Sequence, residues 1–142
     1  MECRLSTDDL FLMIENDEGL EKKWAELIPH MNAPSFKDYL YSLMEARGLD
    51  AGKLGVTALL SRSFAYQICS GERQPGRDIV LRIAVAMKTS VEEAQQMLRL
   101  AQRGTLYPRN RRDAVIIYAL SKKLDLYETD ELLAEMEQQT LL

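Results

Sequence analysis

Residues 51–68 read AGKLGVTALLSRSFAYQI. The apolar spacing predicts two short helices crossing at a tight turn. Leu54, Ala58, Leu60, Ala65 and Ile68 fall where both helices share one small core. Gly55 stands where the first helix has to let the second come close. Ser61 is a capping residue for the second helix, which then turns Arg62, Ser63, Tyr66 and Gln67 outward. A rigid crossing of this kind pushes the leading side chains of one helix into a DNA major groove. The stretch therefore predicts a DNA-binding regulator and not an enzyme.

The rest of the chain reads as helix. Four prolines and seven glycines punctuate 142 residues, and no segment alternates apolar and polar for long enough to make a strand. Ser6 or Thr7 starts a first helix through Leu10, Phe11, Met13 and Ile14, which Asp17-Glu18-Gly19 breaks. Leu20–Ile28 is a second, with Leu20, Trp24, Leu27 and Ile28 on one side as core. Pro29 and Pro34 bracket a linker that holds His30. Ser35–Arg47 is amphipathic, with Phe36, Leu40, Leu43 and Met44 inward, and Gly48 ends it. Residues 70–76 (SGERQPG) are a turn-rich loop before a helix over Arg77–Met87. Ser90 and Glu93 form a capping box for a helix to about Ala101, closed by Gly104. A further helix starts after Asn110, and Asp125 with Glu128 caps a last one that ends near Gln139.

A shift of 35 residues lays one part of this pattern on another. Arg77-Asp78 falls on Arg112-Asp113, Val80 on Val115 and Ala84 on Ala119. Ser90 falls on Asp125, Glu93 on Glu128, and Met97-Leu98 on Leu132-Leu133. Two unrelated hairpins of equal length also match in part. On either reading a second helical hairpin stacks on the first and extends the core.

At 46% hydrophobic and 28% charged residues, the chain can bury a core. No apolar run is long enough for a bilayer, and no secretory signal is recognisable. Cys3 and Cys69 lack metal-ligand spacing, so a reducing cytoplasm is expected. The net charge of −4 is unevenly spread. Residues 1–34 carry three basic and eight acidic side chains, net −5. Residues 35–88 carry eight and five, net +3, and residues 89–142 carry seven and nine, net −2. Phosphate binding follows the local field, so the positive third matters more than the total. The acidic arm is charged to fold over that third and weaken DNA binding.

Residues 35–101 resemble the phage-repressor type of helix-turn-helix, the xenobiotic-response-element family of regulators. RGL at 47–49, LSRSFAYQICSGERQPGRD at 60–78 and SVEEA at 90–94 carry the likeness. The resemblance implies five helices, the second and third being the DNA-reading pair. LYPRNRRDAVIIYAL at 106–120 looks like an extension found in some bacterial members. The expected architecture is all-α: an acidic helical arm over 1–34, a five-helix DNA-binding domain over 35–104, and a helical hairpin over 105–142 packed on it.

Two positions depart from the pattern. Leu59 stands at a turn position usually held by glycine. A left-handed leucine costs ~1–2 kcal/mol, so the turn is expected to be distorted or built differently. Ala51 stands where a glutamine often braces the phosphate and the recognition helix, so that clamp is missing. Gly52 and Gly55 each weaken their helix by ~1 kcal/mol relative to alanine.

Arg62 leads the base-reading set, because an arginine at the start of a groove-entering helix reaches guanine O6 and N7 together. Gln67 suits adenine, Tyr66 a sugar or a thymine methyl, and Ser63 shares their face. Lys53, Arg73, Gln74 and Arg77 are placed to hold phosphates. Arg109, Arg111 and Arg112 make a second basic cluster, suited to pairing with acids or to phosphate. Cys69 either fills space or tunes binding by oxidation. His30 alone makes neither a metal site nor a catalytic pair. No cofactor, metal set or nucleophile–base pair is visible.

The expected function is sequence-specific binding of double-stranded DNA by a homodimeric transcription regulator, since one short helix reads too few bases. Ile117, Tyr118, Leu132 and Met136 are candidates for the pairing surface, or else close the monomer core. Two rivals stand beside it. One is a protein-interaction adaptor on a degenerate helix-turn-helix, recruiting its partner through the arm or the C-terminal hairpin. The other is an antitoxin that binds a toxin and its own operator.

Overall fold

The computed structural model describes residues 6–15, 19–31 and 34–142, without the side chains of Lys22, Lys23 and His30. Among these residues all regular structure is helical. Cys3, Asp17 and Glu18, named in the expectations above, lie outside the described residues, as does the His30 side chain.

Residues 1–34 and 35–142 separate into two compact units. The first holds α1 (Thr7–Glu15) and α2 (Leu20–Met31). Here the sequence reading needs two corrections. Proline at position 29 does not begin a linker; α2 runs through it to Met31. Pro29 lies in the last turn, and its fixed φ suits a helix, so little is forfeited there. Trp24 is not core: it is 47% exposed, and Leu27 is the buried member of its set.

The second unit holds α3 (Phe36–Ala46), α4 (Ala51–Thr57), α5 (Arg62–Ser70), α6 (Arg77–Ala86), α7 (Val91–Leu100), α8 (Arg111–Ser121) and α9 (Leu126–Glu135). One continuous apolar cluster runs through it from Phe36 on α3 to Leu141 beyond α9. The inward residues expected on α3 are all buried in that cluster, as are Val80, Leu81, Ile83 and Ala84 on α6 and Met87 at its end.

Each helix of this unit starts with a capping residue in extended conformation, and most of these accept a backbone N–H through a side-chain oxygen. Ser90 with Glu93 and Asp125 with Glu128 close full capping boxes. Helix ends share one device too. Leu59, Lys88, Gln102, Lys123 and Glu137 are all left-handed, with φ from 54° to 58°. The N–H that follows each reaches back five residues, as in Leu60 to Gly55 at 2.8 Å or Arg103 to Leu98 at 2.8 Å. This is the Schellman closure, made without glycine. The expected distortion at Leu59 is absent. Two boundaries also shift: Gln102, not Gly104, closes α7, and α9 stops at Glu135, short of Gln139.

The 35-residue repeat recurs in the side-chain bonds. Arg77 donates from Nε to the Gly104 carbonyl (2.9 Å) and from Nη2 to that of Thr105 (3.2 Å). Arg112 makes the same two bonds to Gln139 (2.8 Å) and Thr140 (3.2 Å). Gln95 Oε1 accepts from Leu106 N, and Asp130 Oδ1 from Leu141 N, each at 2.7 Å. All five residues of the second set lie 35 positions after their counterparts. Between the hairpins the pairing is reciprocal. Arg77 bridges to Asp113 at 2.8 Å, and Arg112 to Asp78 at 2.8 Å. Arg112, from the second basic cluster, is thus engaged in an intramolecular ion pair.

Candidate nucleic-acid interface

Three features fix α5. Its Ser61 cap accepts from Phe64 N at 3.2 Å. Its inner side is anchored by Ala65 and Ile68, at most 1% exposed. Its approach to α4 is permitted by Gly55, where a Cβ would lie 3.2 Å from the Ala65 Cβ and 3.3 Å from the Leu60 carbonyl. Such distances leave no room for a methyl group without movement.

The outward side carries the expected reading residues. Arg62, Ser63, Tyr66 and Gln67 line one open depression with Ser70 and Glu72. Arg62 and Ser63 are exposed, Tyr66 is 48% exposed and Gln67 is half-buried. The Arg62 guanidinium carbon sits 5.6 Å from the Tyr66 ring centroid. That stacking orders a flexible side chain while leaving its donors outward. Val56, 78% exposed, lies with Arg62 along an adjoining cleft over α4. The sequence reading does not pick out this apolar side chain.

The four candidate phosphate residues do not stay together. Arg73 is exposed and packs over the Phe64 ring at 5.5 Å. Arg73 and Gln74 share a cleft with Ser35 and Lys37 at the start of α3. Gln74 donates Nε2 to the Ala101 carbonyl at 3.1 Å, which ties the loop to the end of α7. Lys53 is exposed on α4. Arg77 is placed elsewhere: its guanidinium is held by Gly104, Thr105 and Asp113. Lys37 was missed by sequence reasoning because a lone lysine in a first helical turn carries no signal of its own.

Arg82 was missed as well. Its Nη2 donates to the carbonyls of Ala58 and Leu59, pinning the turn between α4 and α5. A charge inside the apolar run DIVLRIAVA was the available hint.

Cys69 is half-buried, and burial pushes its thiol pKa up. Its Sγ lies 3.8 Å from the Met44 sulfur. A protonated, packed thiol opposes the oxidation-sensing alternative. Of the proposed pairing residues, Tyr118 and Met136 are exposed, whereas Ile117 and Leu132 are half-buried. Among the described residues, no group of His, Cys, Asp and Glu is arranged for a metal ion. No described helix is long and apolar enough to cross a membrane.

The chain matches no family model, no curated protein and no solved structure.

Proposed function

We propose that α3–α7 form a phage-repressor-type helix-turn-helix domain and that the protein is a sequence-specific double-stranded DNA-binding regulator. The supporting observation is the row Arg62, Ser63, Tyr66 and Gln67 along the outward side of a capped, core-anchored helix. In this reading α5 enters the major groove, with Arg62 and Gln67 on base edges and Tyr66 against a sugar or thymine methyl. Arg73, Lys37 and Lys53 hold phosphates on either side. Arg77 is left out of that role, because its donors are engaged within the fold. A homodimer would supply the two half-sites that useful discrimination needs.

Selection of bound sequences from a random duplex pool, followed by a salt titration on random and selected duplexes, tests this. Affinity is expected to fall steeply with salt, and the selected pool to show a short shared motif. Flat, negligible binding at low salt would overturn it.

The second reading is a protein-interaction adaptor. Phe11, Leu12, Ile14, Leu20, Trp24 and Ile28, all 45–60% exposed on α1 and α2, favour it. Exposed apolar side chains in such number mark interaction surfaces in soluble proteins.

A further inference from the structure

We infer that α8–α9 occupies, within one chain, the place that α6–α7 of a second copy would take, so that this face is a dimer seam filled from inside. The inference does not rest on DNA binding. It follows from how the two hairpins meet.

Arg77 and Arg112 are equivalent positions, and so are Asp78 and Asp113. Exchanging the hairpins therefore turns the Arg77–Asp113 bridge into the Arg112–Asp78 bridge. Reciprocal pairing of this kind is the signature of a two-fold axis: position i meets j while j meets i. Three further observations agree. The Lys123 ammonium donates to the Lys88 carbonyl at 2.9 Å, and these two residues are themselves equivalent. Only residues close to a two-fold axis meet their own counterparts. α6 packs on α9 as α8 packs on α7, which is the same exchange. The apolar stripe Leu81, Ala84 and Val85 is buried, as is its counterpart Ile116, Ala119 and Leu120.

The Arg-Asp dipeptide at 77–78 is thus self-complementary about that axis. A second copy could satisfy it as residues 112–113 do. With α8–α9 seated, nothing of this face remains to pair, and any dimer of the intact chain must form elsewhere.

The test uses the full chain with Cys3→Ser and Cys69→Ser. Lys88→Cys alone, treated with a short thiol-to-thiol cross-linker, is expected to give no linked dimer. Lys88→Cys with Lys123→Cys is expected to link within one chain. Arg112→Glu with Asp113→Lys opposes like charges to Asp78 and Arg77 and releases α8–α9. In that background the mass by sedimentation is expected to double, and Lys88→Cys alone now links two chains. Adding Arg77→Glu and Asp78→Lys restores opposite charges and the single-chain mass. Cross-linking of Lys88→Cys chains across an unaltered seam would overturn the inference. So would a Lys88–Lys123 link that joins two chains, or an opened variant that keeps its helical circular dichroism yet stays single. If the opened variant unfolds, recovery of fold and single-chain mass in the four-residue swap supports the seam, and a Lys88–Lys123 link that joins two chains in the otherwise unaltered protein overturns it.

Discussion

Arg82 donates its guanidinium to the carbonyl of Leu59, the residue that turns the chain left-handed between α4 and α5. A second bond reaches Ala58, the C-cap of α4. A cation here meets the negative end of the helix as well as two carbonyls. The Arg82 Nε, however, is buried without a partner, which offsets part of the gain. Arg82→Ala is expected to lower stability by ~1–2 kcal/mol in urea unfolding. Arg82→Met keeps the aliphatic stem and removes the orphaned Nε, so it should cost less. Equal losses would mean that the turn bonds, not the packing of the stem, are what Arg82 supplies.

The turn also shows where sequence reasoning stopped. Helix positions, caps and inward stripes were legible because they follow from local periodicity and short-range hydrogen bonds. Ser61, Ser90 with Glu93, and Asp125 with Glu128 all cap as expected. The Leu59 turn escapes that reading because the cost of a left-handed leucine is local, while the Arg82 guanidinium that helps to offset it comes from 23 residues away. The repeat was legible as a pattern, but reciprocal pairing of its arginines and aspartates is a three-dimensional fact. The engagement of Arg77 is hidden from the sequence for the same reason: its partners Gly104 and Asp113 lie 27 and 36 residues away. Helical spacing puts Trp24 on a shared side but does not show whether anything covers it, and it is exposed.

Gly55 and Gly52 should respond in opposite directions to alanine. At Gly55 a new Cβ meets the Ala65 Cβ and a backbone carbonyl, and neither yields easily. Overpacking of this kind costs ~1–3 kcal/mol, more than the ~1 kcal/mol gained in helix propensity. At Gly52 the nearest atoms are at ordinary contact distance, 3.4 Å to Asp50 Oδ1 and 4.0 Å to the Tyr66 hydroxyl. Gly52→Ala is therefore expected to raise stability by up to ~1 kcal/mol. Thermal unfolding of both variants checks the pair. A stabilising Gly55→Ala would mean that α4 and α5 do not cross as closely as described.

Arg62 and Arg73 separate reading from holding. On a duplex recovered from the random pool, Arg62→Ala should cost ~1–3 kcal/mol and relax preference at one base position. Arg73→Ala should weaken selected and random duplexes alike and reduce the salt slope by ~1. Fluorescence anisotropy on both duplexes distinguishes them. Losses that ignore sequence in both variants would assign Arg62 to phosphate.

Glu93 gives the unit a predictable acid response. The Ser90 N–H donates to its carboxylate at 2.9 Å, and this bond is the main reason its pKa lies below the ordinary value. Burial opposes the shift, and Arg47, 3.4 Å away, adds to it. A carboxylate whose folded pKa is depressed contributes stability above its unfolded pKa, and that contribution is lost as pH falls through the folded value. Glu93→Gln can still accept the Ser90 N–H but carries no charge. It should be less stable than the parent chain at neutral pH by a fraction of a kcal/mol, since the pair is partly solvated. As pH falls below ~4.3, the unfolded glutamate value, the two stabilities should converge. Urea unfolding across that range reads the difference directly, and a gap that persists at the acid end would mean that shape, not charge, sets the role of Glu93.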